Sequence, residues 1–313
     1  MKAPLLQAVG LTKTYPGGVR AVDRIDLEVA RGETLGIVGE SGCGKSTTAK
    51  MLLRLVDADA GAVAFDGVNI TKVRGKALRQ LRSRLQVVPQ DPRTSLNPRL
   101  TVGSSIGFNL RVHGVGRADR SARVPELLDR VGLDPAYADR YPHEMSGGQL
   151  QRVAIARALA TGPDLVVCDE AVSALDKSVQ AQVLNLLAEL QRDLGVAYLF
   201  ISHDLAVVEH IADRVAIMYL GRVVEQGPAS SLWSDPRHPY TKALLSSVPG
   251  RGGARTVLRG DPPDPASPPS GCGFRTRCPI AEERCAHDVP ALLAPSGTAA
   301  DGHRVACVKE AVA

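Results

Sequence analysis

The chain has 313 residues, 44% hydrophobic and 23% charged, with a formal net charge of +5; this suits one large globular domain plus a small one, or two medium ones. No apolar run approaches the length of a bilayer span, and Met1 to Gly10 lacks the basic start, apolar core and cleavage site of a signal peptide. A cytosolic protein is expected, attached to any membrane through partners, and so modest a charge makes no case for nucleic acid.

Leu5 to Glu33 alternates apolar and polar residues, with Ile25, Leu27 and Val29 set against Asp26, Glu28 and Ala30, around the turn Pro16-Gly17-Gly18. That pattern predicts short antiparallel strands. Tyr15 stands just before the turn, where an aromatic ring either stacks on a purine base or lies half-buried in the strand.

Thr34-Leu35-Gly36-Ile37-Val38 reads as a buried strand and Ser46 to Val56 as a helix. Between them, Gly39-Glu40-Ser41-Gly42-Cys43-Gly44-Lys45-Ser46 matches G-x-x-x-x-G-K-[ST] at every fixed position and in the required strand-to-helix setting. Glycines at 39, 42 and 44 let successive backbone N–H groups converge on a phosphate, and the helix N-terminus adds its positive end. Lys45 is expected on the β and γ phosphates and Ser46 on Mg²⁺. Gly39, Ser41, Gly42, Gly44, Lys45, Ser46 and Thr47 are the candidate cradle for a nucleoside triphosphate.

Lys72 to Arg84 carries six basic residues and no acidic one, with Val73, Ala77, Leu78, Leu81 and Leu85 near helical spacing. With no aromatic residue among the charges, a solvated helix face is expected rather than a nucleic-acid or lipid contact. Leu85 to Gln90 is a short strand ending in a glutamine, and residues 91 to 145 read as helical and irregular, with prolines at 92, 98, 125, 135 and 142.

Ser146-Gly147-Gly148-Gln149 opens a helix running to about Ala160, a second anion-binding helix start. Leu165 to Glu170 is a buried strand finishing in two carboxylates, Asp169 and Glu170. Ser173-Ala174-Leu175-Asp176 leads into a helix with apolar positions at Val179, Val183, Leu186, Leu187, Leu190 and Leu194. Ala197 to Ser202 is a further strand, delivering His203 at its end.

The phosphate loop, Gln90, Ser146-Gly147-Gly148-Gln149, Asp169-Glu170, Asp176 and His203 stand in the order and spacing of an ABC transporter ATPase subunit, which the chain resembles over about residues 1–235. The resemblance implies Mg²⁺ held by Ser46, Gln90 and Asp169, with Glu170, His203 and Gln90 catalytic: Glu170 polarises water, His203 meets the γ-phosphate and Gln90 senses metal and nucleophile. It also implies that Tyr15 stacks on adenine. Ser146, Gly147, Gly148, Gln149 and Asp176 would serve the ATP of a facing subunit, so one chain is half of each of two sites. Ala171 and Leu150 depart from the family, which has proline after the carboxylate pair and a basic residue after the signature; neither removes a group that touches phosphate or metal.

Arg237 to Leu245 and Cys272 to Pro279 resemble the C-terminal extension of oligopeptide, dipeptide and nickel importer ATPases. Asp261 to Pro269, five prolines in nine residues, is expected to be an extended linker that gives no reason to place the tail among the phosphates. Cys272, Cys278, Cys285 and Cys307 fall within 36 positions, against only Cys43 and Cys168 in the core. Stable disulfides are not expected in the cytosol, which leaves metal ligation or four small residues. Thiolates suit Zn²⁺ or an iron–sulfur cluster; the short C-x2-C knuckles of structural zinc are absent, Pro279 follows Cys278, and the resemblance implies a [4Fe-4S] centre. Zn²⁺, with His287 and His303 as spare ligands, is the alternative.

The expected fold is α/β: a parallel sheet with flanking helices, an antiparallel β subdomain, a helical subdomain near 91–160, an ATPase domain over 1–235 and a cysteine-bearing extension over 236–313. The resemblance implies ATP-driven import of peptides, with a second ATPase subunit or a second copy, two permeases and an extracytoplasmic binding protein as partners. Nothing in the chain separates dipeptide, oligopeptide, nickel or glycoside as cargo. Soluble ABC ATPases acting on nucleic acid carry two cores or a long coiled-coil insertion, and neither is seen in this sequence.

Overall fold

The computed structural model describes residues 4–248, 258, 260–295 and 302–310. In chain order the strands and helices are β1 (Leu6–Thr14), β2 (Arg20–Val29), β3 (Thr34–Val38), α1 (Lys45–Leu52), β4 (Ala60–Phe65), β5 (Val68–Asn69), α2 (Gly75–Arg84), β6 (Leu85–Val88), α3 (Pro92–Ser95), α4 (Val102–Val112) and α5 (Arg117–Arg130). Then follow α6 (Gly147–Leu159), β7 (Leu165–Asp169), α7 (Lys177–Leu194), β8 (Ala197–Ser202), α8 (Leu205–Ile211), β9 (Arg214–Tyr219), β10 (Arg222–Pro228), α9 (Ala229–Ser234), α10 (Pro239–Ser246) and β11 (Arg304–Val305). They divide into two compact units, Met1–Thr71 with Ser202–Ala313, and Lys72–Ile201.

In the first unit, β1 pairs antiparallel with β2 and β4, and β4 with β5. The alternation of Ile25, Leu27 and Val29 with Asp26 and Glu28 puts the apolar set on the buried face of β2, as a period of two requires. The same unit holds β3, all five residues buried, parallel to β9, with β10 antiparallel to β9 and β11 antiparallel to β10. The C-terminal segment thus contributes a strand to the sheet edge, pairing Val305 with Glu225. α8 packs on β3 where Gly36 leaves room: a Cβ there would meet the Val208 Cγ1 at 2.5 Å.

In the second unit, β6, β7 and β8 run parallel, Leu85 beside Leu165 and Leu165 beside Ala197. α4, α5 and α6 form the helical part, with Ile106, Leu110, Leu128, Val153 and Ala154 completely buried. Prolines 92, 135 and 142 each open a helix or a single 3₁₀ turn, where the missing N–H has no intrahelical partner to lose. Pro125 instead lies inside α5. On α2 only Leu81 is buried, so its basic residues face solvent.

Three ends differ from the sequence reading. The first helix runs from Lys45 to Leu52 and not to Val56, because Arg54 turns left-handed at φ 54°. β6 stops at Val88, ahead of Pro89, which has no N–H for the ladder. β7 stops at Asp169, ahead of Glu170 at φ 50°.

Candidate functional site

The phosphate loop leaves the buried end of β3 at Gly39 and enters α1 at Lys45. Its glycines are required by space and backbone. A Cβ on Gly39 would stand 2.2 Å from the Met218 carbonyl oxygen; on Gly44, at φ 106°, it would stand 2.0 Å from that of Ala21. Ser41 and Gly42 are exposed at the rim and Ser46 and Thr47 half-buried in the first helical turn. Lys45 is 5% exposed, and its Nζ donates to the carbonyls of Gly39 at 2.7 Å and Glu40 at 2.9 Å. A buried ammonium over a glycine loop at a helix start is an anion cradle. Cys43 lies beneath the loop with its thiol pushed up by burial, against the opposing pull of Lys45.

Tyr15 closes the β1–β2 turn, its N–H donating to the Val19 carbonyl at 2.8 Å. Its ring is 36% exposed, with the Lys13 ammonium 5.8 Å from its centroid. The start of β2, which carries Ala21, lies against Gly44, so the turn bearing Tyr15 adjoins the phosphate loop. His203, in the same unit, is exposed beyond β8.

The second unit brings together Gln90 and Glu170: the Gln90 amide donates to Glu170 Oε2 at 2.9 Å. The left-handed backbone of Glu170 turns the chain sharply off β7, an unfavourable conformation for a non-glycine residue and one that concentrates at functional sites. It is held by its own N–H on the Ile201 carbonyl at 3.0 Å and by the Ser173 hydroxyl on its carbonyl at 2.9 Å. Asp169, one residue earlier, is half-buried at the strand end. Ser146 caps α6 in a reciprocal box with Gln149: its hydroxyl accepts from the Gln149 N–H at 3.3 Å, and Gln149 Oε1 accepts from the Ser146 N–H at 2.9 Å. Gly148 is there for packing, since a Cβ would meet Val179 Cγ1 at 2.5 Å. Asp176 caps α7 through the Val179 N–H at 2.9 Å. Leu150 and Ala171 are each 1% exposed, so both departures lie in the interior.

The tail reaches the phosphate loop, a placement for which its linker gave no reason. Phe274, 1% exposed, packs edge-on against Tyr219 at 5.2 Å and against Tyr240 at 5.4 Å. Its apolar burial outweighs whatever freedom the prolines of 261–269 allow, and it carries Arg277 onto Glu40 of the loop, at 2.8 and 3.1 Å.

Cys272, Cys278, Cys285 and Cys307 line one small cavity, together with His238. Cys272 is tied to the 3₁₀ turn that carries Cys285 by its N–H on the Cys285 carbonyl at 2.8 Å. Burial pushes the Cys272 and Cys278 thiols up, and the neighbouring cysteines add to it. All four are free thiols, and among the described residues no three metal-ligating side chains are gathered into metal-holding geometry. Neither spare zinc ligand lines the cavity: His287 is exposed, and His303 is engaged by Glu225 at 2.8 Å. Glu225, completely buried, also accepts the N–H groups of Arg237 and His238 at 2.7 and 2.9 Å. Burial holds His238 down to about 4, Glu225 opposing and Lys242 reinforcing, so its neutral Nδ1 accepts from the Tyr240 N–H at 3.1 Å. The residues that sequence reasoning passed over are Glu40, a variable position of the motif, and Tyr219 and Glu225, in two strands it did not read.

The family model described as ABC transporter matches residues 22–173, and that described as oligopeptide/dipeptide transporter, C-terminal region, matches 224–285. The chain is 50% identical over 322 residues to the probable peptide ABC transporter ATP-binding protein y4tS of Sinorhizobium fredii, covering 98% of this chain and 90% of that one. It is 49% identical over 302 residues to the oligopeptide transport ATP-binding protein OppF of Salmonella typhimurium, covering 94% and 89%. Among solved structures, the dimeric post-hydrolysis state of the ATP-binding cassette MJ0796 bound to ADP and Pi matches with a TM-score of 0.66 at 29% identity, covering 72% of this chain and 98% of that one.

Proposed function

The chain belongs to the ABC transporter ATPases, in the branch that carries the oligopeptide/dipeptide transporter C-terminal region, and from that membership we propose that it binds and hydrolyses ATP to power peptide import. Two observations carry the reading: an intact lysine-bearing glycine cradle in the first unit and, in the second, a carboxylate, Glu170, that accepts from the Gln90 amide at 2.9 Å. Lys45, exchanging its loop carbonyls for phosphate oxygens, would hold the β and γ groups while Tyr15 stacks on adenine. Ser46, Gln90 and Asp169 offer the hard oxygen donors that suit Mg²⁺. When bound, that ion neutralises charge on the β and γ oxygens. Glu170 would orient and deprotonate water, and His203 would contact the γ-phosphate.

The capped start of α6 would complete the site on a facing ATPase subunit, with Gly147, Gly148, Gln149 and Asp176 shaping that surface. No helix among the described residues is long and apolar enough to cross a membrane, which accords with peripheral attachment to two permease subunits fed by an extracytoplasmic binding protein. The four cysteines on one cavity are a soft donor set. Cys272, Cys278, Cys285 and Cys307 would hold a [4Fe-4S] cluster, with Zn²⁺ as the alternative, in a structural or regulatory role. Anaerobic purification should then yield brown protein that loses its iron on Cys278→Ser; colourless, zinc-bearing protein would select the alternative, and metal-free protein would refute both.

The function is tested by assaying the assembled transporter. Glu170→Gln should keep ATP affinity and lower turnover at least about 100-fold, the usual scale for a lost general base, whereas Lys45→Ala should weaken binding itself. Parental turnover in the glutamine variant would refute the assignment.

A further inference from the structure

The C-terminal extension holds the phosphate loop at two points on one residue. The Glu40 N–H donates to the Tyr240 hydroxyl oxygen at 2.9 Å, and the Glu40 carboxylate accepts both terminal nitrogens of Arg277, at 2.8 and 3.1 Å. This is the two-pronged guanidinium–carboxylate geometry that restricts orientation as well as supplying energy. Neither partner is a loose surface group: the Arg277 side chain is 7% exposed and Glu40 25%, and Tyr240 is completely buried. Arg277 also donates to the Tyr219 hydroxyl at 3.4 Å, while Phe274, three residues before it, is locked among Tyr219, Tyr240 and His238.

The loop residue so held lies beside the cradle. The carbonyl of Glu40 is one of the two that receive the Lys45 ammonium before it turns to phosphate, so holding Glu40 holds the loop backbone that borders the phosphate-binding lysine. The charge matters too. A carboxylate at the edge of a polyphosphate site repels the ligand, and at effective dielectrics near 20 two like charges a few ångströms apart cost on the order of kcal/mol. Arg277 cancels that charge.

Resting on the nucleotide reading above, we infer that Arg277 and Tyr240 are positioning residues for ATP: the extension sets the shape of the phosphate loop and neutralises Glu40, so an element outside the ATPase core tunes nucleotide affinity. Cys272 and Cys278 bracket the segment that delivers Arg277, which joins the cysteine cavity to the loop through a few residues of chain.

The test uses the full chain and a non-hydrolysable ATP analogue with Mg²⁺. Arg277→Ala should weaken binding about tenfold, the scale of a lost charge-assisted pair. Tyr240→Phe, which removes only the hydroxyl, should weaken it about threefold, and Arg277→Lys should fall between the parent and the alanine variant. Adding Glu40→Gln to Arg277→Ala should restore most of the loss, and raising the salt should shrink the effect, neither of which a merely structural role predicts. Amide exchange over residues 39–45, measured without nucleotide, should be faster in Tyr240→Phe and Arg277→Lys. Should the alanine variant fail to fold, those two milder variants carry the test. Parental affinity and parental loop exchange in both would overturn the inference. A parental chain that bound no analogue would overturn the nucleotide reading instead, and loop exchange would still decide the clamp.

Discussion

At the scale of single residues, space decides more than chemistry at the glycines. Gly148 belongs to the motif expected to meet a facing nucleotide, yet a methyl there would stand 2.5 Å from Val179 Cγ1. Gly148→Ala should therefore lower stability by about 1–3 kcal/mol, the cost of overpacking, and Val179→Ala should recover most of it; a thermal melt of the single and double variants checks both. Gly39→Ala should find no such rescue, because its obstacle is the Met218 backbone carbonyl at 2.2 Å. The loop itself was legible, since a phosphate cradle needs glycine, lysine and hydroxyl at fixed spacing. The partner of Glu40 was not: Arg277 lies 237 positions away, and no local periodicity reports a contact closed by tertiary packing. Glu170 was legible as a strand-end carboxylate, but its left-handed backbone is a property of the turn and leaves no trace in residue type.

At the scale of elements, β2 and β10 are joined by a buried charge. Asp23, 7% exposed, accepts from Arg222 Nε at 2.8 Å, with Arg20 and Arg24 beyond at 3.4 and 3.3 Å. Burial alone would raise this carboxyl; Arg222 above all, with Arg20 and Arg24, overcomes it and holds the group below its ordinary 3.8. The folded chain then binds fewer protons here than the unfolded one, so the stabilisation is present above the ordinary carboxylate range and is lost as pH falls through the lowered folded value. Asp23→Asn should cost about 1–3 kcal/mol near neutrality and flatten the stability–pH curve on the acid side, measured by urea unfolding from pH 7 downward. An unchanged curve would show that the pair contributes nothing. Strands such as β3 and β8 were readable because both faces are buried and the runs are apolar apart from Thr34 at the start of one and Ser202 at the end of the other. β11, two residues long, is held by tertiary partners, β10 and Leu293 on its two sides and Glu225 on His303 beside it, and so short a run has no period to read.

At the scale of the whole molecule, the proposed function has each chain holding its own ATP in the cradle and completing a partner's site with the capped start of α6. The isolated chain should accordingly be a poor ATPase when dilute and improve on adding its partner subunit. In mixtures, Ser146→Ala should damage the site built on the partner's loop; damage confined to the variant's own loop would contradict the head-to-tail arrangement. The central claim, that ATP hydrolysis by this chain drives peptide import, is met most directly by uptake. Cells lacking the chain are supplied with the parent or with Glu170→Gln, and entry of a mixed pool of short labelled peptides is followed. The parent should restore uptake and the glutamine variant, present at equal abundance in the membrane fraction, should not; uptake restored equally by both would contradict the account.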